Sequence, residues 1–381
     1  MKKICFITGT RADYGIMAPV MREIENSSEA ELQIIATNMH LSPEFGMTVR
    51  EIESDGFTVD VKIESLGSGG TAKATVESMA KVQEGLAEVF VNLKPDLVVI
   101  LGDRYEALAA ASAAVVFNIP VAHLHGGETT EGAIDNRFRH AITQLSTYHF
   151  AATPQYAEKI ISMGANPENV FHSGAPGAEF DGGNNDEQEE TLARKFFDKT
   201  GLYPGESFIL LAFHPVTLLA DKGKEELEQT IKALNVFISQ GCKVLVTMPN
   251  SDPGTASISE LLTRWSSEKS GMVITVTSLG SGLFHYALDN ALAIVGNSSA
   301  ALIEAPSHRL GAVNVGKRQQ GRAHGITVLD VPGKKEDIEK ALDSVLSFEM
   351  KAVLMGMAVS ALNPYYKENA VRFIAEKLKT L

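Results

Sequence analysis

A chain of 381 residues exceeds what one hydrophobic core usually organises, and its 44% apolar content suffices for two. Thirty-four Lys and Arg against 47 Asp and Glu leave a formal net charge of -13, which repels phosphate polymers and anionic membranes, so nucleic-acid and membrane partners are not expected. An anionic small ligand must then be gripped by local devices, helix N-termini and single arginines, against the global field.

Met1-Lys2-Lys3 leads directly into an apolar strand over residues 4–8, too short for the h-region of a signal peptide. Cys5 and Cys242 each sit in a strand-like run without a second cysteine at metal-ligand spacing, which fits a reduced compartment. No apolar run is long enough to span a membrane, and a cytoplasmic protein is expected. The first strand ends in Gly9-Thr10-Arg11-Ala12-Asp13-Tyr14-Gly15, with a helix to follow. Backbone N–H groups and Arg11 can face an anion there, or the segment is a glycine turn with an exposed arginine. Further apolar runs at 32–36, 97–101, 120–124 and 149–152 alternate with helix-length segments, the pattern of a parallel, doubly wound α/β sheet.

The run at 97–101 is apolar throughout, as a strand covered on both faces requires. It ends in Gly102-Asp103-Arg104-Tyr105-Glu106 before a helix over 107–117, so Asp103 is either a reactive carboxylate at the strand end or that helix's N-cap. The next strand ends in His123-Leu124-His125-Gly126-Gly127-Glu128, followed by Asp135, Arg137, Arg139 and His140. Carboxylates on adjacent strand ends can converge on one substrate atom. His123, His125 and Glu128 also suggest a metal site, but no further ligand cluster accompanies them and no metal is expected. His140, on a predicted helix, reads as structural.

A polar, acidic stretch over 181–190 interrupts the pattern, and a domain boundary is expected near 177–186. Apolar runs then resume at 208–213, 243–247, 272–276, 292–295 and 312–315, a repeat of architecture without a residue-level period. The expected division is 1–178, 179–362 and a final helical segment. Two such sheets facing each other would hold a ligand in a cleft at their strand C-termini. The strand at 208–213 delivers His214-Pro215-Val216-Thr217, where His214 is either a satisfied polar group or a phosphate and proton partner. Gly296-Asn297-Ser298-Ser299 opens a predicted helix that carries Glu304 further along. Ser298 and Ser299 with bare N–H groups suit a diphosphate and Glu304 suits ribose hydroxyls; the plain alternative is a capped helix with a surface Glu. Gly316-Lys317-Arg318-Gln319-Gln320-Gly321-Arg322 supplies local positive charge.

Taken together, Gly9-Thr10-Arg11-Ala12-Asp13-Tyr14, Gly102-Asp103-Arg104, His125-Gly126-Gly127-Glu128, Gly132-Ala133-Ile134-Asp135, Arg139-His140-Ala141-Ile142-Thr143, His214-Pro215-Val216-Thr217, Pro249-Asn250-Ser251-Asp252 and Asn297-Ser298-Ser299 with Glu304-Ala305-Pro306 resemble the hydrolysing UDP-N-acetylglucosamine 2-epimerases of sialic and legionaminic acid biosynthesis. Non-hydrolysing relatives carry Pro and Glu after the first Thr-Arg, and a Glu-Ala-Gly segment where this chain has His125-Gly126-Gly127. The resemblance implies a GT-B-like fold of two Rossmann-like domains around a UDP cleft, with the last helix, in 363–381, returning to the first domain. It implies catalytic roles for Asp103, Glu128, Asp135 and His214, and UDP contacts from Arg11, His214, Ser298, Ser299, Glu304 and Arg322. Asn136 stands where the family often has an acidic residue, which leaves Asp135 as the acidic participant. The implied reaction takes UDP-GlcNAc and water to ManNAc and UDP without a cofactor, by elimination to a glycal and hydration. The partners expected are the UDP-sugar and UDP, within a homodimer or homotetramer. The alternatives are UDP-N,N'-diacetylbacillosamine as substrate, a non-hydrolysing epimerase, a GT-B glycosyltransferase and a UDP-sugar-binding regulator.

Overall fold

The computed structural model describes residues 1–67, 70–179 and 186–381; part of the expected boundary stretch, 180–185, lies outside the described residues. By contacts the chain divides into two compact units, the first Met1–Thr129, Ile134–Glu179 and Lys367–Leu381, the second Thr130–Ala133 and Phe180–Tyr366.

The first unit contains β1 (Lys2–Thr8), β2 (Ala30–Thr37), β3 (Val61–Ile63), β4 (Leu97–Leu101), β5 (Val121–Leu124), β6 (Tyr148–Ala151) and β7 (Val170–His172). Among the described residues they pair in the order β3-β2-β1-β4-β5-β6-β7, every neighbour parallel. Strand side chains alternate between faces, and both faces are covered, which is why the runs are apolar at successive positions. Ile4, Phe6, Leu97 and Val99 pack with Met17, Val20 and Ile24 of the helix Arg11–Glu25 and with Ile374, Ala375 and Leu378 of the last helix, Ala370–Thr380. Cys5, Ile7, Val98 and Ile100 pack on the opposite face against the helices Ala72–Leu93 and Tyr105–Val116, whose Ala109, Ala110, Ala111 and Ala114 are wholly buried. The last helix is tied on by Lys2 Nζ donating to the Leu378 carbonyl at 3.0 Å and by the Val371 N–H donating to Glu179 at 2.8 Å. It begins at Ala370; the wholly buried Tyr365 lies in the non-helical segment before it.

The second unit contains β8 (Phe208–Ala212), β9 (Lys243–Thr247), β10 (Val273–Val276), β11 (Ala293–Gly296), β12 (Ala312–Val315) and β13 (Val328–Val331), again all parallel, in the order β10-β9-β8-β11-β12-β13. Its core joins Ile209, Leu211, Val244, Val246 and Val295 of the strands to Leu227, Leu234, Leu262, Trp265 and Leu342 of the surrounding helices. Each sheet reverses its winding once, between β1 and β4 and between β8 and β11. Open α/β sheets take ligands at the strand C-termini beside such a reversal. Among the described residues no helix is long and apolar enough to cross a membrane.

Candidate active site

At the end of β1, Thr10 caps the helix Arg11–Glu25 in a capping box with Asp13. Asp13 Oδ1 accepts from the Thr8 hydroxyl at 2.9 Å and the Thr10 N–H at 2.9 Å, while Oδ2 accepts from the Gly9 N–H at 3.0 Å. Two of the N–H groups expected to meet an anion are thus already satisfied by a carboxylate, and the positive group that remains is Arg11. Desolvation pulls its guanidinium down to about 10, with Glu51 opposing the shift, so it stays charged at neutral pH. Buried His40 bridges Thr8 and Thr48 at 2.9 and 2.8 Å.

β1 and β4 meet where Gly9 lies against Glu106. A Cβ at Gly9 would stand 2.5 Å from Glu106 Oε1, so a side chain there would have to displace that buried carboxyl. Burial raises the Glu106 carboxyl above the ordinary range, and its ion pair with Arg104 opposes this. Arg104, not Asp103, occupies the N-cap of the helix Tyr105–Val116 and makes no side-chain cap bond. Asp103 instead forms an ion pair with Arg139, which is 2% exposed on the helix Asp135–Leu145.

On β5, His123 Nε2–H donates to the Gly102 carbonyl at 2.7 Å, and Nδ1 lies 3.3 Å from the Thr143 hydroxyl. Burial pushes this imidazole down to about 3, so it is neutral and ties β5 to the end of β4. His125 follows with left-handed backbone, φ 62°, and its Nδ1 lies 2.6 Å from Oε1 of the wholly buried Glu128. Asp135 opens the helix that carries Arg139 one turn later, so the two share a face of that helix, and Arg139 pairs with Asp103. The intervening Thr130–Ala133 belongs by contacts to the second unit, where the Glu131 N–H donates to the Gln320 carbonyl at 3.2 Å.

In the second unit the ends of β8 and β11 are joined by one side chain. Asn297 Oδ1 accepts from the His214 N–H at 2.7 Å, and its Nδ2 donates to the His214 carbonyl at 2.8 Å. Gly296 just before it has φ 136°, and a Cβ there would stand 2.1 Å from the Ala212 carbonyl oxygen. The Asn297 carbonyl accepts from Arg318 at 3.0 Å and from Gln319 at 2.8 Å, and Arg322 donates to Gln319 at 2.9 Å. The positive loop is therefore fastened to the β11 end that bears Ser298 and Ser299. The helix expected to run from these serines through Glu304 is a single turn, Ala300–Ile303, with Ser299 at its N-cap making no side-chain cap bond. Glu304 lies between that turn and the 3-10 turn Ala305–His308. It is partly exposed rather than a surface residue, and desolvation pushes its carboxyl up to about 7. Asn363 braces the turn by donating to the Ile303 carbonyl and the Ser307 hydroxyl, both at 2.8 Å.

Each unit therefore gathers its own set. The first brings Asp103 to Arg139, His125 to Glu128, and Asp135 to the helix of Arg139; the second brings His214, Ser298, Ser299 and Arg322 around Asn297 and Gln319. Arg139, Asn297 and Gln319 were named in the sequence only within motifs, without a role, and Asn363 was not named. Of these, Arg139 had a signal, its four-residue spacing from Asp135 on one helix.

The chain is 38% identical over 338 residues to the UDP-N,N'-diacetylbacillosamine 2-epimerase (hydrolyzing) of Legionella pneumophila, covering 87% of this chain and 85% of that one. It is 32% identical over 350 residues to the GDP/UDP-N,N'-diacetylbacillosamine 2-epimerase (hydrolyzing) of Campylobacter jejuni, covering 92% and 89%. The crystal structure of Methanocaldococcus jannaschii UDP-GlcNAc 2-epimerase in complex with UDP-GlcNAc and UDP matches all of both chains with a TM-score of 0.79 at 20% identity, a likeness of fold that makes this chain GT-B-like. With the family model for UDP-N-acetylglucosamine 2-epimerase matching residues 22–379, the chain belongs to that family.

Proposed function

We propose that the protein is a hydrolysing 2-epimerase of a UDP-linked 2-acetamido sugar, releasing UDP and the free 2-epimeric sugar. The observation that carries this reading is the set of acidic groups at the β4 and β5 ends, Asp103, Glu128 and Asp135, in a chain alike along most of its length to hydrolysing enzymes. A UDP-binding regulator or a glycosyltransferase leaves these carboxylates without a task. The hydrogen on carbon 2 has no neighbouring carbonyl to acidify it, so UDP must depart first. The oxocarbenium-like centre at carbon 1 then acidifies that C–H, and loss of the proton gives a glycal. Water adds at carbon 1 while carbon 2 takes a proton on the opposite face. Asp103, Glu128 and Asp135 divide the work of base, acid and cation stabiliser. Arg11, His214, Ser298, Ser299, Glu304 and Arg322 hold UDP and stabilise the charge on its leaving oxygen.

The likeness to the Legionella and Campylobacter enzymes favours UDP-N,N'-diacetylbacillosamine over UDP-GlcNAc. We place the reaction in the cytoplasm, where Cys5 and Cys242 remain free thiols, and in a homo-oligomer. Incubation with each substrate in D2O, followed by NMR, tests the reading. Free 2-epimeric sugar carrying deuterium at carbon 2 is the expected product. A UDP-linked epimer as final product would replace it with the non-hydrolysing reaction, and no turnover without an acceptor would replace it with transfer or binding.

A further inference from the structure

We propose that His125, oriented by Glu128, is the catalytic residue that accepts the carbon-2 proton. This rests on the reading above and changes one assignment in it: the role of base, given there to the three carboxylates, passes to the imidazole that Glu128 orients, and Asp103 and Asp135 keep those of acid and cation stabiliser. His125 stands one residue past the C-terminal end of β5, the strand beside β4 on the ligand side of the sheet. It is 4% exposed, its backbone is left-handed at φ 62°, and its Nε2 is buried with no hydrogen-bond partner among the described residues. An unpaired buried nitrogen and a non-glycine residue in that backbone region each cost stability, and the two costs coincide here. The other buried histidines near this strand end, His40 and His123, have both ring nitrogens engaged. His149 also has an unpartnered Nδ1, but it borders a separate hollow of about 260 Å³ lined by Thr143, Ser146, Gly164 and Asn169, and among the described residues no carboxylate forms an ion pair with its ring.

The pairing sets the ring's chemistry. A carboxylate 2.6 Å from Nδ1 holds the proton on Nδ1 and leaves the lone pair on Nε2. When the C1–O bond breaks, its electron pair leaves with UDP. The carbon-2 C–H pair becomes the C1=C2 π bond, and the proton passes to Nε2; Glu128 then faces an imidazolium whose charge it stabilises. Glu128, wholly buried behind the ring, is on this account a positioning residue, and Asp103 is held by Arg139. Re-protonation of carbon 2 from the opposite face then falls to a carboxylic acid, and His125 returns its proton to water.

The test begins with the wild-type enzyme in D2O. If it releases UDP from neither substrate, the proposed function fails and His125 is not at issue. If it turns over, His125→Ala and His125→Gln should each lose about 10²-fold or more in kcat with KM and UDP affinity within about twofold. Added imidazole should restore part of the His125→Ala activity, because a free ring can enter the vacated space. Glu128→Gln should lower kcat about 10-fold at unchanged KM and gain nothing from imidazole. Turnover of either His125 variant within about threefold of wild type overturns the proposal. So does a folded, UDP-binding His125→Ala that imidazole fails to revive, or a loss of kcat matched by an equal loss of UDP affinity and melting temperature, which marks packing alone.

Discussion

Glu304 gives stability a pH dependence through one side chain. Its carboxyl sits at about 7 because protein atoms replace water around it. In the window between the ordinary carboxyl range and 7 the folded state holds a proton that the unfolded state has lost. Its contribution therefore falls as pH rises through that window, on the order of 2 kcal/mol once partial exposure is allowed for. Glu304→Gln should melt higher than wild type at pH 8 and close to it at pH 4, measured by thermal denaturation. If the carboxylate accepts ribose hydroxyls, calorimetric UDP affinity of the wild type should rise from pH 6 to pH 8. The Gln variant should lose that slope and roughly 1–3 kcal/mol of binding at pH 8. Asp103 offers a second test at this scale: Asp103→Asn keeps shape but ends the ion pair with Arg139, and should cost about 10²-fold in turnover with UDP affinity unchanged. The sequence singled out Asp103 because it follows a strand end and Glu304 because it follows two serines at a predicted helix start. Their partners were not legible, since nothing local says that the carboxylate at 103 will meet the guanidinium at 139.

Strands covered on both faces announced themselves; among the edge strands β10 did, in the run 272–276, and β3, β7 and β13 did not. β1, β4 and β8 read as unbroken apolar runs because two helix layers cover them. β3, β7 and β13 lie at or near sheet edges, and their short segments VKI, VFH and VLDV are mostly part-exposed or carry polar residues. The helix through Glu304 was over-extended, although the chain contained the correction. Pro306 lacks an N–H and would crowd the carbonyl four residues back, so a regular helix cannot run through it. Where β8 and β11 adjoin, Gly296→Ala should be severe, because the new methyl meets the Ala212 carbonyl and the backbone conformation disfavours alanine. We expect a loss above about 2 kcal/mol in urea denaturation. UDP affinity should weaken with it, as the Asn297 clasp on His214 is displaced.

For the whole molecule, the chain's path matters as much as its cores. The last segment, Lys367–Leu381, belongs to the first unit, and Ile374, Ala375 and Leu378 complete a core begun by Ile4 and Phe6. Deleting residues 367–381 removes Ile374 and Leu378, whose burial is worth roughly 1.5–3 kcal/mol each, along with Ala375, and uncovers the apolar face they cover, a loss that reaches the lower end of an ordinary domain's whole stability. The truncated protein should bind a hydrophobic dye and show the first unit rapidly cut by protease while the second resists. Two alternating sheets were foreseeable from the apolar runs. That Thr130–Ala133 belongs by contacts to the second unit was not, because the Gln320 carbonyl that accepts from the Glu131 N–H lies nearly two hundred positions away in the chain.

The placement of the final helix also sets an order of events on the ribosome. The first unit is synthesised first and completed last: its sheet must wait for the roughly 200 residues after Glu179 before the closing helix emerges. At about 5–20 residues per second that is on the order of 10–40 s, during which one apolar face of β1 and β4 lacks part of its cover. The second unit, contiguous but for four residues, is finished while the first still waits. In a nascent chain of this kind the amino-terminal half waits, incompletely covered, through roughly the second half of synthesis, and the late step in its folding is the return of the tail.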